Sequence, residues 1–244
     1  GLRREEVAVL ANIGVSWLTR LEQGRANAVS AEVLTVLADA LRLSGSERLH
    51  LFSLAGVRAP APLGDRSPGG LDAQRRLVDG LDPNPAYVLD PAWNLACWND
   101  AEATLFPVLG SASSRAGEDG GGAPPNLLRL TLTTPGLRGF MTDWAEEVDR
   151  LTRQFRLHLS QHPSPEGTAL AEELRAEHPP FATAWARHDV DVFESRTRRF
   201  RHAAVGALEF DHHRLTVPDR PGWTVVVYTA ADPTTAERFA RLRP

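Results

Sequence analysis

The chain has 244 residues, enough for one large or two ordinary domains, and its 27 basic side chains against 31 acidic ones leave a net charge of −4. That balance excludes a general nucleic-acid sponge, and no apolar run has the length of a membrane span or the form of a secretion signal. The single cysteine, Cys97, excludes an intramolecular disulfide and fits a cytoplasmic protein.

The first pattern in the chain is Arg4 to Gln23, REEVAVLANIGVSWLTRLEQ. Ala8 is small where two crossing helices would touch, and Asn12 tolerates positive φ at the turn. Ile13 plugs the corner, and Val7, Ala11, Leu18 and Leu21 keep the three-or-four spacing of a buried helical stripe. This predicts a helix-turn-helix whose second helix, about Val15 to Gln23, enters the major groove of a double-stranded DNA operator. Its outward residues are Val15, Ser16, Trp17 and Arg20, offering an apolar contact to a thymine methyl, a versatile hydroxyl and a fork for guanine. Arg4, Arg25 and Asn27 are placed to meet phosphates, and Glu22 is expected in an internal ion pair or cap. Gly14, where the second helix starts, brings no side-chain oxygen, so that start is expected to be loose.

Ser30 before AEVLTVLADAL and Ser46 before ERLHLFSLAG read as caps of two more helices. Up to Arg58 seven arginines meet six acids, so non-specific DNA affinity is expected to be modest and to depend on a homodimer. The alternative is a plain helical hairpin with Trp17 in its core and the arginines solvated. The four helices resemble the helix-turn-helix domain of the phage-repressor-like XRE family, and RREEVAVLA with TRLEQGR is similar to its actinobacterial branch. That family has a helix before this unit, so the start of the domain is expected to lie upstream of Gly1. Relatives also carry Gly at the turn and Ser or Thr at the cap, where this chain has Asn12 and Gly14.

The expected division is residues 1–58 for the helical domain, 59–70 for a proline- and glycine-rich linker, and 71–244 for a second domain. The second domain opens with the helix LDAQRRLVDGL, and AYVLDPAWNLACWN then reads as two strands turning at Asp90-Pro91. Asn99 caps a helix that ends at Pro107. The stretch SASSRAGEDGGGAPP is a glycine-rich loop without the Gly-Lys-Ser/Thr of a phosphate loop, which argues against nucleotide binding. Thr134-Pro135 starts a helix, and Val148, Leu151, Phe155 and Leu159 mark a longer one from Trp144. Helices are expected over 167–177 and 181–187. Three β segments follow, broken at 203–206 and 218–222, and Asp232-Pro233 starts a last helix. The sum is an α+β domain whose sheet carries helices on one face.

PAYVLDPAWNLACWN, NLLRLTLTTP, FATAWARHDV and RHAAVGALEFDHHRL with VVVYTA resemble the ligand-binding domain of MmyB-like transcription regulators. The resemblance implies a PAS-like fold, a five-stranded antiparallel sheet with helices enclosing a pocket, and a fatty-acid-like ligand with no other cofactor. An acyl ligand needs an apolar tunnel and a few donors at one end. Tunnel candidates are Trp98, Phe106, Leu128, Phe140, Trp144, Phe155, Phe181 and Trp185; the alternative for each is a core aromatic or aliphatic residue. Asn99, Arg187 and His188 are the candidates for the polar end, with an ion pair to Asp189 or Asp191 as the other reading of Arg187.

No metal is expected: His158 and His162 stand four apart on a helix without a third ligand, and His212 and His213 point to opposite faces of a strand. RTRRFR at 196–201 reads as a solvated strand face with Phe200 turned inward. The expected protein is a dimeric, ligand-responsive regulator and not an enzyme, since no nucleophile–base pair or cofactor loop is legible. A regulator with a protein-interaction, haem- or flavin-sensing domain is the alternative, and an enzyme targeted by a helix-turn-helix a further one.

Overall fold

The computed structural model describes residues 2–25, 29–57, 71–110 and 124–243. The chain divides into two compact units, Gly1–Asp65 and Arg66–Pro244.

In the first unit, helices α1 (Arg4–Leu10) and α2 (Val15–Glu22) are joined by the turn at Asn12, whose φ is +50°. The Ile13 N–H donates to the Ala8 carbonyl at 2.9 Å, and Ala8 is fully enclosed beneath that corner. Gly14 caps α2 through its backbone alone, with no side-chain bond. Helix α3 (Ala31–Ala40) begins on Ser30, whose Oγ accepts from the Val33 N–H. Helix α4 (Gly45–Leu54) starts on Ser44 and not on Ser46 as the sequence suggested. The reason is reciprocity: Ser44 caps the Glu47 N–H while the Glu47 carboxylate accepts from the Ser44 N–H at 2.8 Å, and Ser46 has Leu49 at the corresponding position. The core is Val7, Ala8, Ala11, Leu18 and Leu37, with Ile13, Trp17, Leu21 and Val33 packed around it.

The second unit begins with α5 (Asp72–Asp79), strands β1 (Ala86–Leu89) and β2 (Leu95–Trp98), and α6 (Asp100–Leu105). Helices α7 (Leu127–Thr133), α8 (Pro135–Phe140), α9 (Trp144–Gln161), α10 (Pro165–Glu177) and α11 (Pro179–Ala186) form the middle. Strands β3 (Arg196–His202), β4 (Gly206–Thr216) and β5 (Thr224–Ala230) and helix α12 (Pro233–Ala240) complete it. Local chemistry sets the helix starts: Ser164 caps α10 with Pro165 in its first turn, and Asp232 accepts from the Thr235 N–H ahead of Pro233. The five strands pair antiparallel in the order β2-β1-β5-β4-β3, the α+β, PAS-like arrangement expected.

One expectation is corrected: helices do not lie on one face alone. Val78 of α5, with Leu71 and Leu81, packs on Ala86, Val88, Ala96, Cys97, Val225 and Val227, opposite the main core. Every residue of β1 and β2 is therefore buried, whereas the edge strand β3 buries only alternate residues. Cys97 is a small member of that second core, and burial pushes its thiol up to about 11.

Candidate functional site

The inner face of the sheet follows from period two. Phe200 of β3 is buried, so Arg198 and Arg196, two and four residues back, share its face; Phe210, His212 and Arg214 of β4 do the same. Register then aligns Arg196 with His212 and His212 with Tyr228 in one row, while Arg214 and Tyr87 flank Val226 in the next. The basic run at 196–201 is thus not a solvated face. Arg199 and Arg201 are exposed, but Arg198 is only 6% exposed.

Burying a guanidinium requires partners. Arg198 donates from Nη1 to the Tyr228 hydroxyl and from Nη2 to the Glu147 carboxylate of α9, whose other oxygen pairs with Arg196. Its Nε has no partner among the described residues. His212 lies stacked on Tyr228 at 4.9 Å, and burial with the adjoining arginines holds its imidazole well below the ordinary range, so the ring is neutral. Burial likewise raises Tyr87 to about 12 and lowers Arg196 and Arg214 to about 10.

Above this row lies a partly open cavity of about 30 Å³. Leu127, Leu130, Leu137, Met141, Leu151 and Phe106 supply its apolar wall, and Tyr87, Tyr228, Arg198, Thr131 and Glu102 its polar end. Glu102 on α6 is 2% exposed and its Oε2 has no hydrogen-bond partner among the described residues. Burial pushes its carboxyl up to about 8, with Arg198 pulling the other way, so it is mainly uncharged at neutral pH. Wider clefts exist, such as one of about 640 Å³ along Glu172, Arg175, Trp185 and His188, but mostly exposed residues line it.

The structure does not bring the three polar-end candidates together. Asn99 is 3% exposed and spends its whole side chain on the fold: Oδ1 accepts from the Ala86 and Glu102 N–H groups, and Nδ2 donates to the Val78 and Asn84 carbonyls. No valence is left for a ligand. Arg187 is exposed and pairs with Asp149 at 2.8 Å, a partner other than Asp189 or Asp191. His188, exposed at φ +60° after α11, sets Nδ1 3.2 Å from Arg156.

Of the tunnel candidates, Phe106 lines the cavity, and Phe140 packs between it and Phe200 at 5.6 and 5.0 Å. Trp144 donates from Nε1 to the Thr131 carbonyl, bracing the cavity wall. Leu128 is a buried core residue, and Trp98 is buried in the edge strand β2. Phe155 packs on Trp93, and Phe181 stacks on Trp185, away from the cavity lining.

Tyr87, Glu102, Arg198 and Tyr228 were missed. Alternation back from Phe200 carried the signal for Arg198, whereas Glu102 was masked by its place three residues after the cap Asn99, where an acid reads as helix capping. His158 donates from Nε2 to the Pro91 carbonyl at 3.1 Å and is held down to about 4 by burial; among the described residues no group of three His, Cys, Asp or Glu gathers to hold a metal.

In the helical unit, Val15, Ser16, Arg20 and Arg25 are exposed. Trp17 instead packs partly buried against the core, which corrects its placement among the outward residues: it stands one position before Leu18, on the rim of the apolar stripe. Arg4 pairs through Nε with Glu22 at 2.7 Å, so the internal ion pair expected of Glu22 engages the arginine assigned to a phosphate. Asn27 lies outside the described residues. None of the described helices is long and apolar enough to cross a membrane.

A family model for the MmyB-like transcription regulator ligand binding domain matches residues 72–242, well over half of the chain, and one for a helix-turn-helix domain matches residues 1–51. No curated protein matches it.

Proposed function

The chain belongs to the MmyB-like transcription regulators, and from that premise we propose that its sheet unit takes a fatty acid or similar acyl compound into the cavity beside Arg198, and that occupancy alters how a cytoplasmic homodimer reads its operator. The coarser statement, a ligand-responsive DNA-binding regulator, rests on the pairing of a helix-turn-helix with a ligand-binding domain.

The observation that carries the acyl reading is a nearly fully buried arginine at the end of an otherwise apolar cavity. A guanidinium matches the two oxygens of a carboxylate, and exclusion of water strengthens the pair. With Glu102 uncharged, Arg196, Arg198 and Arg214 outnumber Glu147, a cationic excess that favours an anionic head group.

At about 30 Å³ the cavity is far smaller than the roughly 300–1,000 Å³ of ordinary ligand sites, so a chain enters by displacing its walls. Met141 and the leucines of the short helices α7 and α8 are suited to that, since unbranched thioethers and surface-seated helices repack at low cost. A ligand that binds only the opened arrangement shifts the population towards it by its differential affinity. One recognition helix reads one half-site, so a symmetric partner supplies the second. The same cavity presents binding groups and no nucleophile–base pair, which favours a sensor over an enzyme.

A gel-shift titration tests the reading, using a DNA fragment selected by the protein from random sequence, with and without medium- and long-chain fatty acids. The expected result is a change in DNA affinity of about fivefold or more. Unchanged affinity with every chain length removes the acyl ligand and leaves a regulator with another input.

A further inference from the structure

Resting on the acyl reading of the cavity, we propose that Glu102 is the residue that tests the ligand's head group, donating its carboxyl proton to a ligand oxygen beside Arg198, so that the site selects a terminal carboxylate and rejects an amine. The geometry supports this in three ways. Glu102 is 2% exposed, it lines the cavity together with Arg198, Tyr87 and Tyr228, and its Oε2 is a buried polar atom without a partner among the described residues. An orphaned acceptor or donor of this kind costs free energy until something meets it, and none of the described residues does. Arg198 is already engaged with Glu147 and Tyr228, and its Nε meets no partner among the described residues, so Arg198 and a protonated Glu102 together offer donors to both oxygens of a head group.

The charge around Glu102 points the same way. An ionised Glu102 would repel a carboxylate across a cavity of low dielectric, whereas the protonated form donates to one. The groups facing it are Arg198 from β3, Tyr87 from β1 and Tyr228 from β5, with His212 and Arg214 of β4 and Glu147 of α9 behind them. Tyr87 and Tyr228 ionise far above neutrality, Arg214 near 10, and His212 stays neutral because its shift is downward. Between pH 7 and 9 Glu102, at about 8, is therefore the group in this set whose charge changes most.

The test measures binding of decanoate, decanol and decylamine to the full chain at pH 7 and pH 9, for the wild type and Glu102→Gln. Decanoate affinity of the wild type should fall about tenfold from pH 7 to pH 9, because the binding-competent protonated fraction falls by that factor. Glu102→Gln, which keeps an N–H donor, should bind decanoate with a flat profile, and decylamine should bind the wild type more weakly than decanoate. An identical pH profile in both proteins, or a preference for the amine, overturns the role of Glu102 while leaving the acyl cavity standing. Failure of all three probes to bind the wild type overturns the acyl reading and this proposal together. Infrared difference spectra give a check that does not depend on the variant: a protonated carboxyl band that shifts when decanoate binds is expected, and its absence overturns the proposal.

Discussion

Arg4 and Arg198 each pair with a glutamate, yet the Arg4 and Glu22 side chains are 50% and 46% exposed whereas those of Arg198 and Glu147 are 6% and 5% exposed. The difference is one of solvent. In water the pair between α1 and α2 is worth at most about 1 kcal/mol and leaves half of the Arg4 side chain exposed, open to a phosphate. Under the sheet the same two side-chain types depend on each other: without Glu147 the buried Arg198 has no carboxylate, and without Arg198 the buried Glu147 keeps only Arg196. One unit thus keeps arginines available to a partner, and the other uses them to hold a polar end inside an apolar core.

The contrast breaks most directly at Arg198. Arg198→Ala should destabilise the protein by about 3–5 kcal/mol, because the buried Glu147 loses one of its two arginines and Tyr228 its donor, and Arg4→Ala by less than about 1 kcal/mol; equal losses in denaturant titrations would refute it. Glu102 sharpens the same point through pH. Its carboxyl is raised from 4.5 to about 8 in the fold, so the folded state holds a proton that the unfolded chain has released; stability is lost as pH rises from about 4.5 to 8. Glu102→Gln should remove that loss, gaining up to ~4 kcal/mol over the wild type at pH 8 and nearly nothing at pH 4. Melting curves of the two proteins that stay parallel across this range would count against it.

On the exposed side, Arg20→Ala should cost about 1–3 kcal/mol in specific DNA binding and leave the melting temperature unchanged, since the side chain is exposed on α2. A drop in melting temperature would mean that Arg20 belongs to the fold. Gly14→Ser supplies the missing cap oxygen at a position with open space around the Cα, and should stabilise α2 by a few tenths of a kcal/mol in thermal unfolding of the chain.

Local signals were legible wherever one residue's chemistry suffices. Asn12 at positive φ, Ser30 and Asp232 as caps, Pro135 and Pro233 in first turns, and the two breaks between the last three strands all follow from short-range rules. Ser44 against Ser46 shows the limit of such rules, since both are cap residues and only the partner three positions on separates them. Trp17 and Arg198 were misplaced for a related reason: residue type suggested a surface for one run of arginines and a groove for one tryptophan, while the face of each element decided otherwise.

By itself the sequence determined the helix-turn-helix and the five strands, because periodicity and capping are properties of contiguous residues, and the resemblance of its motifs pointed to the family. Only the tertiary structure decided which polar groups meet. Asn99, one of the three candidate ligand donors, is consumed by four backbone groups of the fold, while Glu102 and Arg198, 96 positions apart in the chain, face one cavity with bonding capacity to spare. The physical reason is that a buried polar group's role depends on whether its hydrogen bonds are already met, and that is settled by neighbours brought from distant segments.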